Sequence, residues 1–259
     1  MRLSIEVDLH YALPAPADVL LQIEAAAMAD QRIEAERLTI WSDHPVRAAT
    51  GEDGVGQRCW VRGMHDVQAE YRATVEVARA PVQLEALGAT PPREVPAGLT
   101  AYLLPSRYCP VDKLYGFVQR RFAGLSGGRL AAALAAWVEA EISYQVGSSA
   151  GETTALDTFG NRAGVCRDFA HLLVTLARAG DIPARCVSAY APGVDPPDFH
   201  AVAELWLDGA WHLVDATGMA RADELARVAV GRDAIDIAFM TIFGRADFLR
   251  QSVRVARLA

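Results

Sequence analysis

A proline-rich break, "ATPPREVPAGLTAYLLPSRYCP" at residues 89–110, separates two hydrophobic periods, and that change limits what this chain can fold into. Before it, apolar Leu3, Ile5, Val7 and Leu9 alternate with Ser4, Glu6, Asp8 and His10, and Tyr71, Ala73, Val75 and Val77 repeat the pattern. Period-two alternation is the mark of a half-buried strand. After the break, "VDKLYGFVQRRF" and "GGRLAAALAAWVEAEISYQ" read as helices, and Phe169, Leu172, Leu173 and Leu176 keep three-and-four spacing up to Gly180 and Pro183. Strands return in "PARCVSAY", "FHAVAELWL" and "AWHLVDAT". This order predicts an α+β protein: an N-terminal antiparallel β-sandwich over residues 1–104, then a domain over 105–259 with helices leading into an antiparallel sheet. The tail "FLRQSVRVARLA" is expected to be an edge strand.

Of the 259 residues, 52% are hydrophobic and the net charge is −7, which offers no basic footprint for nucleic acid or an anionic membrane. The N-terminus alternates like a strand and not like a signal peptide, and no apolar run reaches the length of a membrane span. A cytoplasmic location is the default expectation. Cys59, Cys109, Cys166 and Cys186 form no CxxC pair, so neither a disulfide framework nor a structural zinc site is expected. A metal site of Cys166, Cys186, His200 and Asp215 would lack short-range ligand pairing, and no metal or cofactor is expected.

The stretch "NRAGVCRDFAHLLVTLARAGDIPAR", residues 161–185, puts Cys166 in the first turn of a helix. Free backbone N–H groups and the helix dipole there favour an anion, and a thiolate is one. The opposing reading is a small buried hydrophobe. A nucleophile needs a base, and the base needs an orienting group. His171 sits five residues on, rotated about 140° around the helix, which suits packing or capping. His200 opens a strand after the loop "APGVDPPDF". If Asp208-Gly209 form a two-residue hairpin turn, Leu207 faces Ala210, Trp206 faces Trp211 and Val202 faces Asp215. His200 and Asp215 then share one face as diagonal neighbours about 7–8 Å apart at Cβ. His212 falls on the other face.

The blocks "GVCRDFAHLLVTLARAGDIPAR", "FHAVAELWLDGAWHLVDAT" and "ARVAVGRDAIDIAF" resemble bacterial members of the transglutaminase-like superfamily, over roughly residues 105–245. The segment before them resembles the β domain that precedes this core in bacteria. The resemblance implies a papain-related core in which Cys166 is the nucleophile, His200 the base and Asp215 its orienting acid. Arg167 stands where animal cross-linking enzymes have tryptophan, which weighs against protein cross-linking. Val202 replaces a tryptophan common in the family.

Around this triad, several residues carry paired readings. Asn161 either completes an oxyanion hole with the Cys166 N–H or is a turn residue. Asp168 either orients a substrate amine or is an acid favoured in a first helical turn. Arg167 is a further candidate for substrate binding. Tyr190 and Phe199 flank the 191–199 loop and either line the substrate cleft or belong to the core. The functions compatible with these residues are a cysteine amide hydrolase acting on a peptide or small amide, acyl transfer to an amine, and a binding module without turnover. The oligomeric state is left open.

Overall fold

The computed structural model describes residues 1–42 and 44–258. Six strands come first: β1 (Arg2–Ala12), β2 (Ala17–Leu21), β3 (Gln31–Trp41), β4 (Arg47–Thr50), β5 (Gln57–Gly63) and β6 (Asp66–Val77). The proline-rich stretch follows as short 3-10 turns, and then come helices α1 (Val111–Arg121) and α2 (Gly127–Glu141). A two-residue strand β7 (Ser143–Tyr144), helix α3 (Ala155–Asn161), a two-residue strand β8 (Ala163–Gly164) and helix α4 (Cys166–Ala179) lead to the central part of the molecule. There β9 (Ala184–Tyr190), β10 (His200–Leu207), β11 (Ala210–Val214) and β12 (Ala226–Gly231) form a sheet. The chain ends in α5 (Ala234–Ile237), β13 (Met240–Phe243) and β14 (Asp247–Leu258).

The alternation seen in the sequence becomes a sandwich of two sheets, in the orders β14-β1-β6-β3 and β13-β2-β5-β4. In β1, Leu3, Ile5, Val7 and Leu9 are fully buried, and they oppose Val75, Ala73, Tyr71 and Ala69 of β6. Antiparallel pairing therefore puts both apolar rows on one inner face.

The expected division at residue 104 is corrected at the far end of the chain. β13 pairs with β2, and β14 pairs along the whole of β1, from Arg2 against Leu258 to Ala12 against Asp247. The final segment thus leaves the second unit and completes both sheets of the first. Its own alternation marks it as a strand, but pairing with β1 is decided by an edge more than two hundred residues away, and period alone does not name a partner. Its expected place at an edge is the one observed.

In the second unit the sheet order is β11-β10-β9-β12, all antiparallel. Helix α4 is buried from Asp168 to Ala179, packed among α1, α2, α3, β9 and β10. Because the helix is covered on all sides, its polar Asp168, His171, Thr175 and Arg178 are buried along with its apolar stripe. Ala201, Ala203, Leu205 and Leu207 of β10 join the cluster that contains Leu172, Leu173 and Leu176, whereas Val202 joins Val187, Ala189, Leu213 and Val230 on the opposite face. The hairpin turn is the two-residue one: Asp208 (φ 48°) and Gly209 (φ 75°) both adopt left-handed backbone, and Leu207 faces Ala210.

The two units meet through buried charge. Glu204 is fully buried and takes hydrogen bonds from Arg185 at 2.8 Å and from Arg227. Arg185 continues to Asp53 at 2.7 Å, and Arg227 to Asp30 at 2.9 Å. Asp30 also accepts from Arg79 at 2.7 Å. A buried carboxylate with both oxygens paired is tolerated, but one stripped of a partner destabilises by about 3–5 kcal/mol.

Candidate active site

Helix α4 begins at Cys166 because the chain before it is tied down. A Cβ on Gly164 would lie 2.7 Å from Cβ of Asp168, so only glycine lets the first turn fold back. Asp168 is fully buried, and its Oδ2 accepts the Val165 N–H at 2.8 Å. It therefore acts as a first-turn acid, and the reading in which it orients a substrate amine is corrected: its carboxylate has no exposed surface to offer.

Cys166 is half-buried, with Sγ 3.8 Å from the Phe199 carbonyl oxygen. His200 follows Phe199, and its Nε2 lies 2.8 Å from Oδ2 of Asp215. The hairpin register inferred from Asp208-Gly209 brings these two together. Asp215 is held in turn: Oδ1 accepts from the Thr217 N–H at 2.9 Å and the Thr217 hydroxyl at 2.7 Å, and Oδ2 from the Ala220 N–H at 2.9 Å. Nδ1 of His200 is buried and has no hydrogen-bond partner among the described residues. Burial works to lower the imidazole pKa, but the hydrogen bond with Asp215 and then the neighbouring Cys166 sulfur outweigh it and raise it to about 9. Burial pushes the Asp215 carboxyl up, and the His200 and Thr217 hydrogen bonds reverse this to a net lowering. The arrangement favours an imidazolium next to an ionised carboxylate, with a sulfur on its other side.

These side chains open into a cavity of about 300 Å³. Arg167, Ser188, Asp198 and Phe199 line it together with Cys166 and His200, and Ala234, Ile237, Phe239 and Met240 form another wall. Phe199 and Phe239 lie nearly parallel at 4.2 Å between ring centres. The loop before His200 thus contributes Asp198 and Phe199, as expected of Phe199. Arg167 also lines the cavity, and its Nη2 donates to Ser149 Oγ and to the Ala150 carbonyl at 2.7 Å.

Two candidates lie elsewhere. Tyr190 is fully buried, does not line the cavity, and donates its hydroxyl to the Ile23 carbonyl at 2.6 Å, joining the two units. The parity of β9 could not show this, since both faces of that strand are covered. Asn161 is the exposed last residue of α3, outside the cavity lining; the left-handed Arg162 (φ 56°) turns the chain just after it. Among the described residues no three His, Cys, Asp or Glu side chains are gathered as metal ligands, so Cys166, Cys186, His200 and Asp215 do not form such a group.

Other site residues escaped the sequence. Tyr144 pairs with Gly164, and its ring is 6.0 Å from that of Phe169. Burial and then the charge of Cys166 push its phenol up to about 12, which places it beside the sulfur. A two-residue strand has no period from which to find it. Ile237, Phe239 and Met240 sit in the "AIDIAF" tail, where apolar spacing is indistinguishable from core.

Residues 123–216 match the model of the transglutaminase-like superfamily, a span that holds Cys166, His200 and Asp215. A candidate cysteine protease from Cytophaga hutchinsonii, known from its crystal structure, is similar at 32% identity with a TM-score of 0.93, over 100% of this chain and 91% of that one. An uncharacterized protein of Mycobacterium leprae is 32% identical over 145 residues, 52% of each chain. The chain spans about half the length of that curated relative. Fold and match together define an α+β protein with a transglutaminase-like core. The chain belongs to the transglutaminase-like superfamily. No described helix is long and apolar enough to cross a membrane.

Proposed function

We propose that this protein is a cysteine-dependent amide hydrolase, a peptidase or amidase, working through an acyl-thiol intermediate with Cys166 as nucleophile, His200 as acid and base, and Asp215 as its orienting group. The observation that carries this reading is the buried His200 ring, with Nε2 on Asp215 at 2.8 Å and Nδ1 left without a partner beside Cys166. Sγ attacks the amide carbonyl carbon, forming the C–S bond and an oxyanion. Nδ1–H then protonates the departing amine as the C–N bond breaks; the neutral imidazole takes a proton from water as that water attacks the thioester carbonyl, and the C–S bond breaks to release the acid and return the Cys166 thiolate beside the imidazolium. Asp215 keeps the proton on Nε2 throughout, so that Nδ1 is the nitrogen that works. A cytoplasmic location goes with this reading, supported by four cysteines that are free thiols.

The same acyl-enzyme could pass its acyl group to an amine, and products formed with and without an added primary amine separate hydrolysis from transfer. The first experiment needs no substrate. Labelling with a small thiol electrophile at neutral pH is expected to fall on Cys166, since Cys59, Cys109 and Cys186 are buried. His200→Ala is expected to slow that labelling, and Cys166→Ala to abolish it. A Cys166 labelling rate equal to that of a free thiol and unchanged by His200→Ala would reduce the cysteine to packing.

A further inference from the structure

Asp198 lies one residue before the carbonyl that touches the Cys166 sulfur, and it lines the same cavity. It is exposed, yet its carboxylate is fixed. Oδ1 accepts the Phe199 N–H at 2.8 Å and Nε2 of Gln251 at 2.7 Å. Gln251, on β14, is held in turn by the Tyr11 hydroxyl of β1 at 2.8 Å. Oδ2 of Asp198 has no hydrogen bond, and the residue is in no ion pair, among the described residues.

The other charged groups of the cavity are directed elsewhere. Arg167 turns Nη2 onto Ser149, Ala150 and, at 3.5 Å, Asp168, with its Nε buried and without a partner among the described residues, and Nε2 of His200 is held by Asp215. The same cavity is lined by an apolar wall, the parallel Phe199 and Phe239 rings with Ile237 and Met240. A fixed anion sharing a cavity with an aromatic wall matches one kind of side chain: a hydrocarbon stem with a cationic head, which buries the stem and keeps its charge at the rim.

We propose that the cavity selects amide substrates with an ammonium-bearing side chain next to the scissile carbonyl, the stem along Phe199 and Phe239 and the head on Asp198. The identity of the cleaved bond rests on the hydrolase reading above; the recognition of the cation does not. The N-terminal unit thereby takes part in specificity, because Tyr11 and Gln251 hold the recognising carboxylate.

The test reads binding instead of turnover. Protection of Cys166 in the full chain from iodoacetamide is measured with Nα-acetyl-lysine methylamide and with Nα-acetyl-norleucine methylamide, which keeps the stem and lacks the charge. The lysine compound is expected to protect at about two- to fivefold lower concentration, the scale of one ion pair at an exposed carboxylate. Asp198→Asn keeps an acceptor for Phe199 and Gln251, so its melting temperature should match the wild type. It is expected to erase the preference while leaving norleucine protection unchanged. Equal protection by both compounds, protection by neither, or a preference that survives Asp198→Asn would overturn the proposal. Failure of the hydrolase reading shows separately, as a Cys166 labelling rate blind to His200→Ala.

Discussion

Two buried histidines of the second unit, His171 and His200, begin from the same position and end at opposite extremes. Each is at most 1% exposed, and each has an Nδ1 with no partner among the described residues. His171, in the middle of α4, stacks on Tyr108 at 5.1 Å and accepts the Ala234 N–H on Nε2 at 3.0 Å. Burial pushes its pKa down to about 3. His200 suffers the same burial, but its Nε2 meets a carboxylate instead of an amide N–H, and it rises to about 9. An unpartnered nitrogen therefore does not by itself set the charge of a buried histidine. The group on the other side of the ring does, because it decides whether a proton can stay on the imidazole in a dry place.

That contrast is broken most severely by making His200 more like His171. Asp215→Asn keeps the shape of the pair and removes its charge, so it should lower turnover by about 10²–10⁴-fold while slowing electrophile labelling of Cys166 much less; steady-state rates beside labelling rates give the split. Equal losses in the two would mean that Asp215 acts on the sulfur and not on the imidazole tautomer. The reverse substitution, His171→Ala, should leave labelling per folded molecule unchanged and destabilise the protein by about 2–4 kcal/mol, read by urea unfolding, through a lost stack and an orphaned Ala234 N–H.

The pH dependence is the most discriminating. His171 is neutral when folded and takes a proton below 6.5 when unfolded, so stability should fall as pH drops from 6.5 towards about 3. His200 holds its proton when folded up to about 9, so its contribution is complete below 6.5 and is lost as pH rises from there through about 9. Each slope approaches about 1.4 kcal/mol per pH unit. Stability from these two groups thus peaks near pH 6.5. His171→Ala should flatten the acid limb, and Asp215→Asn the alkaline limb together with the loss below 3.8 that the lowered Asp215 carboxyl adds.

The hairpin that joins His200 to Asp215 was legible because a two-residue turn leaves no freedom: once Asp208 and Gly209 adopt left-handed backbone, every cross-strand pair follows. Cys166 was legible from helix signals on both sides of it. Asp168 and Tyr190 were not, since a polar side chain near a nucleophile looks the same in sequence whether it faces the cavity or a backbone N–H. Phe239, Met240 and Gln251 were hidden for a different reason. They reach the site only because the chain returns to the first unit, and that return is set by pairing of β14 with β1 and β13 with β2, which leaves no local trace.

The same return has a consequence during synthesis. β1 and β6 can pair as soon as both have emerged, but the other side of β1 stays bare until residues 247–258 have followed, about 170 residues behind the end of β6. At about 5–20 residues per second that is an interval of roughly ten to thirty seconds with an eleven-residue edge open to any other strand. The Cys166 helix and its sheet are complete before the edge is covered. Closing the sandwich is then also the event that seats Phe239, Met240 and Gln251, so the newborn chain carries its thiol for some time before it has the cavity that would direct it.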